Sequence, residues 1–264
     1  MIVDFHTHAF PDTLAPRAIA GLYESAAYAY TPVHDGTVTG TLRNMDAWGI
    51  SMSVLQPVIT KASQLVRINE WAASVRSDRI EAFGGIYPHT DDYKSAIDFA
   101  ASLGLKGLKF HAEYQNFLLD DPHMLRIYDC ALSRGFMILH HAGYDPAFPP
   151  PFHTNPKRFA HLMREFPGAP IIAAHLGGHA QWDDVERYLA GSGIYLDTSM
   201  GFSYFPHDQF LRIVKAVGAE HVLFGSDAPW SCAHDEIQAL RALPLTDTEK
   251  NAILSGNARR RLGR

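Results

Sequence analysis

The feature that most limits what this chain can become is a repeated alternation. A short β-rich run is followed by a helical pattern, and the pair recurs eight times. The β-rich runs are Ile2 to His8, Ser51 to Pro57, Ile80 to Pro88, Gly104 to His111, Phe136 to His141, Pro170 to His175, Ile194 to Thr198 and His221 to Asp227. Between and after them lie helical patterns from Pro11 to about Tyr30, Thr41 to Trp48, Leu65 to Val75, Tyr93 to Leu103, and Asp121 to Ser133. They continue near Lys157 to Glu165, Trp182 to Leu189, Asp208 to Val217, Asp235 to Ala242 and Thr246 to Arg261. Leu65, Ile68, Ala72 and Val75 show the helical period, one apolar residue on each turn of a single face. Eight such units predict a parallel sheet covered by helices, closed into a (β/α)8 TIM barrel. The rival is an open doubly wound sheet, but no glycine-rich phosphate loop follows an early strand. At 264 residues the chain has the length of one barrel, so residues 1–264 are expected to form a single α/β domain.

In a barrel the carboxyl ends of the strands form the active face. The predicted carboxyl ends hold His6 and His8, His89, Lys109 and His111, His140 and His141, His175, Asp197 and Asp227. His221 begins the eighth strand and belongs to the opposite face. His34, His123, His161, His207 and His234 fall on loops or helices and are read as structural or solvated. Alternation along the first strand sets Asp4, His6 and His8 on one face, where the two imidazoles can grip one cation. The plain alternative is a polar strand end with two solvated histidines.

Net charge is −5 with acids and bases mixed, so no basic stripe suits a nucleic-acid backbone, and a small molecule is the expected partner. Cys130 and Cys232 stand far apart, which suggests neither a disulfide framework nor a thiolate metal site. No apolar run approaches a membrane span and no secretion signal opens the chain, so the expected compartment is the cytoplasm. Fold analogy gives a homodimer as the expected oligomer.

Asp4-x-His6-x-His8, Gly107-Leu-Lys109-Phe-His111, His141-Ala-Gly143, Ala174-His175-Leu-Gly-Gly178 and Gly225-Ser-Asp227-Ala-Pro229 follow one another in that order. The set resembles the amidohydrolase superfamily, and within it the amidohydrolase-2 branch. That branch groups aminocarboxymuconate-semialdehyde decarboxylase with benzoate decarboxylases and lactone hydrolases. Leu254-Ser-Gly-Asn257-Ala-Arg-Arg-Arg-Leu262 resembles the branch's closing helix, so the likeness runs from residue 2 to residue 262.

The resemblance implies one divalent metal held by His6, His8, His141 and Asp227, with His175 beside it as acid, base or orienting group. Three imidazoles and a carboxylate with a position left open make a catalytic site. Asp227 could also take the proton of an attacking water. Read without the family, Asp227 is a turn-capping aspartate and His175 a core histidine under Gly177-Gly178. His140 and His141 cannot both point inward, and the resemblance selects His141. Lys109 and His111 are expected to contact the substrate. A carbamate on Lys109 bridging two metals is the less favoured alternative, and an ion pair the structural one. Asp4 would orient a ligand imidazole. The loop from Gly143 to His153 and Trp230 would wall the mouth, with Phe117, Tyr144 and Trp182 as further candidates.

Zinc is the default expectation, and manganese, cobalt or iron suit the same donors. The leading expectation is a metal-dependent hydrolase of a lactone, amide or ester. Non-oxidative decarboxylation of an aromatic or enoic acid is the alternative, less favoured because the branch's decarboxylases are longer chains. A barrel that binds metal or ligand without turnover is the third reading.

Overall fold

The computed structural model describes residues 1–264. Its eight strands are β1 (Val3–Thr7), β2 (Met52–Leu55), β3 (Ile80–Ala82), β4 (Gly107–Phe110), β5 (Met137–His140), β6 (Ile171–Ala173), β7 (Tyr195–Asp197) and β8 (Val222–Leu223). Every neighbouring pair is parallel and follows chain order, β1 to β3 in one run and β4 to β8 in another. Two seams close the ring. At the first, Gly84 N donates to Gly107 O (2.8 Å) and Lys109 N to Gly84 O (2.9 Å). At the second, Phe5 N donates to Phe224 O (2.8 Å) and Asp227 N to His6 O (2.8 Å). The expected barrel is therefore present, and the open sheet is not.

The strands are shorter than the β-rich runs, which overrun the ladder at both ends except at the start of β3. The helices largely follow the sequence pattern. They are α1 (Ala15–Ser25), α2 (Val38–Trp48), α3 (Leu65–Ser74), α4 (Tyr93–Ser102), a short α5 (Ala112–Gln115) that the pattern did not signal, and α6 (Pro122–Ser133). There follow α7 (Pro156–Glu165), α8 (Trp182–Tyr188), α9 (His207–Val217) and α10 (Ala233–Ala242). Expected across residues 11–30, α1 stops earlier because Ala27 and Tyr28 take the left-handed conformation (φ 50° and 61°). α2 begins earlier than its apolar pattern because Thr37 caps it, its hydroxyl accepting from Gly40 N at 2.9 Å. The last helical stretch is divided into α11 (Asp247–Asn251), a wider π turn (Ala252–Gly256) and α12 (Asn257–Leu262).

The barrel interior is filled by Val3, Phe5, Val54, Phe83, Met137, Leu139, Ile172, Ala174 and Leu223. Ala258 and Leu262 of α12 join this cluster. Asn257 anchors that helix by donating to Ala219 O (2.7 Å) and Val222 O (2.6 Å). A larger apolar layer lies between strands and helices, with Phe110, Tyr128, Phe159 and Phe210 among its members. No helix is long and apolar enough to cross a membrane.

β1 departs from simple alternation. Its register against β2 slips between Asp4 and Thr7, so β1 carries one extra residue there. Phe5 still points into the core, and His6 follows it toward the inside. Gln56 satisfies the carbonyl that the bulge frees, donating from Nε2 to Phe5 O at 2.9 Å.

Candidate active site

The bulge separates Asp4 from the two histidines that alternation had placed beside it. Asp4 instead accepts from Ser226 N (2.9 Å) and Ser226 Oγ (2.6 Å), tying β1 to the chain beyond β8. Burial pushes its carboxyl up to about 7, against the pull of the Ser226 hydrogen bonds. It therefore orients no imidazole. That position is taken by Asp197 at the end of β7, whose Oδ2 accepts from His6 Nδ1 at 2.8 Å. Asp197 Oδ1 accepts from His175 N (3.1 Å), Ser199 N (3.0 Å) and the Ser199 hydroxyl. Burial pushes the Asp197 carboxyl up, but His6 and these donors outweigh it and hold it below the usual range.

Hydrogen bonding fixes which ring nitrogens carry protons. Carboxylate Oδ2 of Asp197 can only accept, so His6 carries its hydrogen on Nδ1 and leaves a lone pair on Nε2. A second chain reaches the same result at His141. The Ser199 carbonyl also only accepts, so His175 donates to it from Nδ1 (3.2 Å) and keeps a lone pair on Nε2. That lone pair accepts from His141 Nδ1 at 3.0 Å, which leaves His141 Nε2 unprotonated, buried and without a partner. Two strand ends thus present bare imidazole nitrogens.

Asp227 follows β8 in the left-handed conformation (φ 71°), as do His175 (φ 56°) and Leu176 (φ 55°) after β6. Such backbone costs roughly 1–3 kcal/mol per residue and concentrates where side chains must be aimed. Asp227 Oδ1 lies 3.0 Å from His8 Nε2 and 3.4 Å from His6 Nε2. Burial pushes the Asp227 carboxyl up, and His6 and His8 more than offset it, so it is held below the usual range. His8 is pushed down by burial and pulled back by Asp227. Buried Lys109 places Nζ 3.1 Å from His6 Nε2. Its ammonium is pushed down to about 8 by burial, with Asp227 and Asp197 opposing.

The ligand atoms of His6, His8 and Asp227 lie within 4.8 Å of one another, as a single cation requires. His141 stands instead in a neighbouring group with His111 and Asp145. Its ring stacks on His111 at 4.1 Å between centroids, and His111 Nε2 lies 3.1 Å from Asp145 Oδ2. Burial pushes the His111, His141 and His175 imidazoles well down, toward the neutral forms that bind metals. The donors present fit a divalent cation: an oriented lone pair on His6 Nε2, another on the unpartnered His141 Nε2, and a carboxylate between His6 and His8. His140 faces away from it, stacked on Phe110 (5.2 Å) and edge-on to Tyr128 (5.2 Å).

His6, His8, Lys109, His111, His141, His175, Asp227 and Trp230 all line one cavity of about 280 Å³ at the carboxyl ends of the strands. Tyr144 lines it too. Phe117 does not, packing on Phe110 and facing a separate cleft with His89. His89 is held there by Gln115 O at 2.7 Å. Trp182 stands behind the site, donating from Nε1 to His175 O at 3.2 Å. Sequence reading passed over His179 and Asp145, both of which line the cavity. His179 immediately follows the Gly177-Gly178 turn and Asp145 lies in the mouth loop, so both motifs had been noted without those residues.

The sequence model of the amidohydrolase family, in its second branch, matches residues 3–264. The chain belongs to the amidohydrolase-2 family. It is accordingly an enzyme of the amidohydrolase type. No curated protein sequence matches it. Among solved structures, an uncharacterised TIM-barrel protein from Bordetella bronchiseptica is similar at TM-score 0.78 and 19 % identity, over 99 % of this chain and 98 % of that one. The 5-carboxyvanillate decarboxylase of Novosphingobium aromaticivorans, with bound manganese and a hydroxy-methoxy-nitrobenzoic acid, gives TM-score 0.74 at 14 % identity over 100 % and 97 %. A probable 2-pyrone-4,6-dicarboxylic acid hydrolase from Acinetobacter baumannii, with citric acid bound, gives 0.68 at 17 % over 100 % and 99 %. At these identities the likeness establishes the amidohydrolase-2 barrel as the fold.

Proposed function

We propose that this amidohydrolase-2 chain is a metal-dependent hydrolase of a small lactone, amide or ester. The observation that carries the reading is Asp227 Oδ1 lying between the Nε2 atoms of His6 and His8 in a largely apolar cavity. His6, His8, Asp227 and His141, the last drawn from the neighbouring group it forms with His111 and Asp145, would hold one divalent cation, with zinc or manganese both suited to the donors. Bound there, a cation makes water acidic enough to attack a carbonyl near neutral pH and polarises that carbonyl.

The chain's own residues supply the rest. Asp227, held ionised, accepts the proton of the attacking water at its free oxygen. His175 holds His141 in the tautomer that bares Nε2 by accepting from His141 Nδ1, and the proton that Asp227 takes from the water can pass to the leaving oxygen or nitrogen. Lys109 and His111 contact the substrate's acidic or carbonyl oxygens, and Trp230 with Tyr144 limits water at the mouth. The free thiols Cys130 and Cys232 fit a reducing compartment such as the cytoplasm.

Decarboxylation is the second reading, favoured by the structural likeness to a decarboxylase that carries manganese with a nitrobenzoic acid and to another complexed with 2,6-dihydroxybenzoate. The same residues would grip a hydroxy acid and deliver a proton to carbon. One experiment separates the two. Purified protein is incubated with lactone and hydroxybenzoate panels while acid formation and carbon dioxide release are followed. Ring opening without gas supports hydrolysis, and gas release from hydroxybenzoates overturns it. In either case His6→Ala should lower turnover at least a hundredfold.

A further inference from the structure

The cavity is divided by chemistry. Its polar groups come from strand ends, chiefly of β1, β4, β5, β6 and β8. The segments that follow β1 and β2, which are neighbours in the barrel, supply most of its apolar lining, with Tyr30, Gln56 and Thr60 as their polar members. There Leu22 and Ala26 lie one turn apart at the end of α1, and Ile68 and Trp71 one turn apart on α3, together with Pro57 and Val58 of the segment after β2. Spacing of four and three residues turns each pair to a single face. All six are half-buried, as expected of side chains walling a space rather than filling a core.

Charge narrows the occupant further. Lys109 is the only lysine or arginine that lines the cavity, whereas Asp145 and Asp227 both do. A second carboxylate placed at the wall, where no lysine or arginine lines the cavity, would have no partner for its lost hydration. A single acidic head has its place beside Lys109.

We propose that the α1–α3 wall is a binding subsite for an apolar ring substituent or alkyl chain, so that the substrate is a monoacid or neutral carbonyl compound with a hydrophobic extension. The cavity is continuous from strand ends to wall, so the occupant is the substrate's own tail. The inference rests on the proposed function for the position of the head, and adds the tail.

The test measures binding as well as turnover. Protein purified without chelator is titrated with 2-hydroxybenzoate, its 4-methyl to 4-butyl homologues, and 4-hydroxyisophthalate, following tryptophan fluorescence and heat. Trp71 and Trp230 both line the cavity and report occupancy. Each added methylene should tighten Kd about fourfold. The second carboxylate should weaken it tenfold or more. Ile68→Trp, which fills the wall, should abolish the methylene gain while leaving Kd of the parent acid within twofold. Leu22→Gln, on the half-buried face of α1, should shrink that gain below twofold without demanding any core rearrangement. A flat homologue series, the same gain in both variants, or tighter binding of the dicarboxylate would overturn the proposal. Tightening along the series with no hydrolysis in the lactone panel refutes the proposed reaction alone. Hydrolysis with a flat series refutes the subsite alone.

Discussion

At the scale of single residues, the site is governed by which hydrogen each imidazole carries. Asp197 makes that choice for His6, and its carboxylate has no donor of its own. In Asp197→Asn the amide can turn its NH2 toward His6 Nδ1, favouring the tautomer with hydrogen on Nε2, where the cation would bind. Metal affinity is expected to fall 10- to 100-fold, read by chelator competition, while the far-ultraviolet spectrum stays unchanged. Unaltered affinity would show that His6 needs no such partner. Glu236 offers a separate test, away from the metal donors. It is 2 % exposed and accepts from Phe202 N (2.8 Å) and Ser231 Oγ (3.1 Å). Burial is the largest influence and pushes its carboxyl up to about 7 from 4.5, against those two donors. The folded chain therefore holds this proton more tightly than the unfolded one. Its stabilising contribution is complete below pH 4.5, declines as pH rises toward 7 and is lost above it, a change on the order of 3 kcal/mol at most. Glu236→Gln retains an acceptor for Phe202 N. The variant should melt above the wild type at pH 8 and converge with it near pH 5, and parallel melting curves would contradict the assignment.

At the scale of elements, β1 is held by close packing against the chain after β8. A Cβ on Gly225 would stand 2.8 Å from His6 Cβ and 3.3 Å from His6 N, so only glycine lets the two segments approach. Gly225→Ala should displace His6, cost roughly 1–3 kcal/mol in denaturant melts and weaken metal binding in the same sample. Loss of stability with full metal affinity would show that the contact supports the fold but not the site. This junction also marks where sequence reading succeeds and where it stops. Strand ends carrying His6, His8, His141, His175 and Asp227 were legible because barrel geometry gathers the carboxyl ends of all strands at one face. Asp4 was misplaced because a one-residue bulge leaves no mark on the apolar alternation around it. Asp197 was visible as a strand-end residue, yet its partnership with His6 depends on β7 and β1 meeting across the barrel. His140 and His141 could be ordered only by resemblance, and the structure separates them through aromatic packing around the first. The broken terminal helix escaped notice because its apolar period continues across the π turn.

At the scale of the whole molecule, the proposed metal donors come from β1, the β5 end and the segment after β8. A cation held among them ties the first strand to the last at the seam that closes the barrel, where Phe5, His6 and His8 already share backbone hydrogen bonds with residues 224–228. The unfolded chain has no such arrangement, so binding must add to folding stability. At free metal a hundredfold above Kd the gain is about 2.7 kcal/mol. For a chain of this length that corresponds to roughly 5–10 °C in melting temperature. Removing metal with a chelator should lower the melting temperature by that amount, and readdition of zinc or manganese should restore it. His6→Ala and Asp227→Asn should melt near the metal-free wild type and respond little to either treatment. The larger response to one of the two metals then identifies the one the site prefers. If chelation leaves the wild-type melt unmoved and elemental analysis finds no metal, the cluster of His6, His8 and Asp227 holds no cation, and Lys109 remains the cation beside His6.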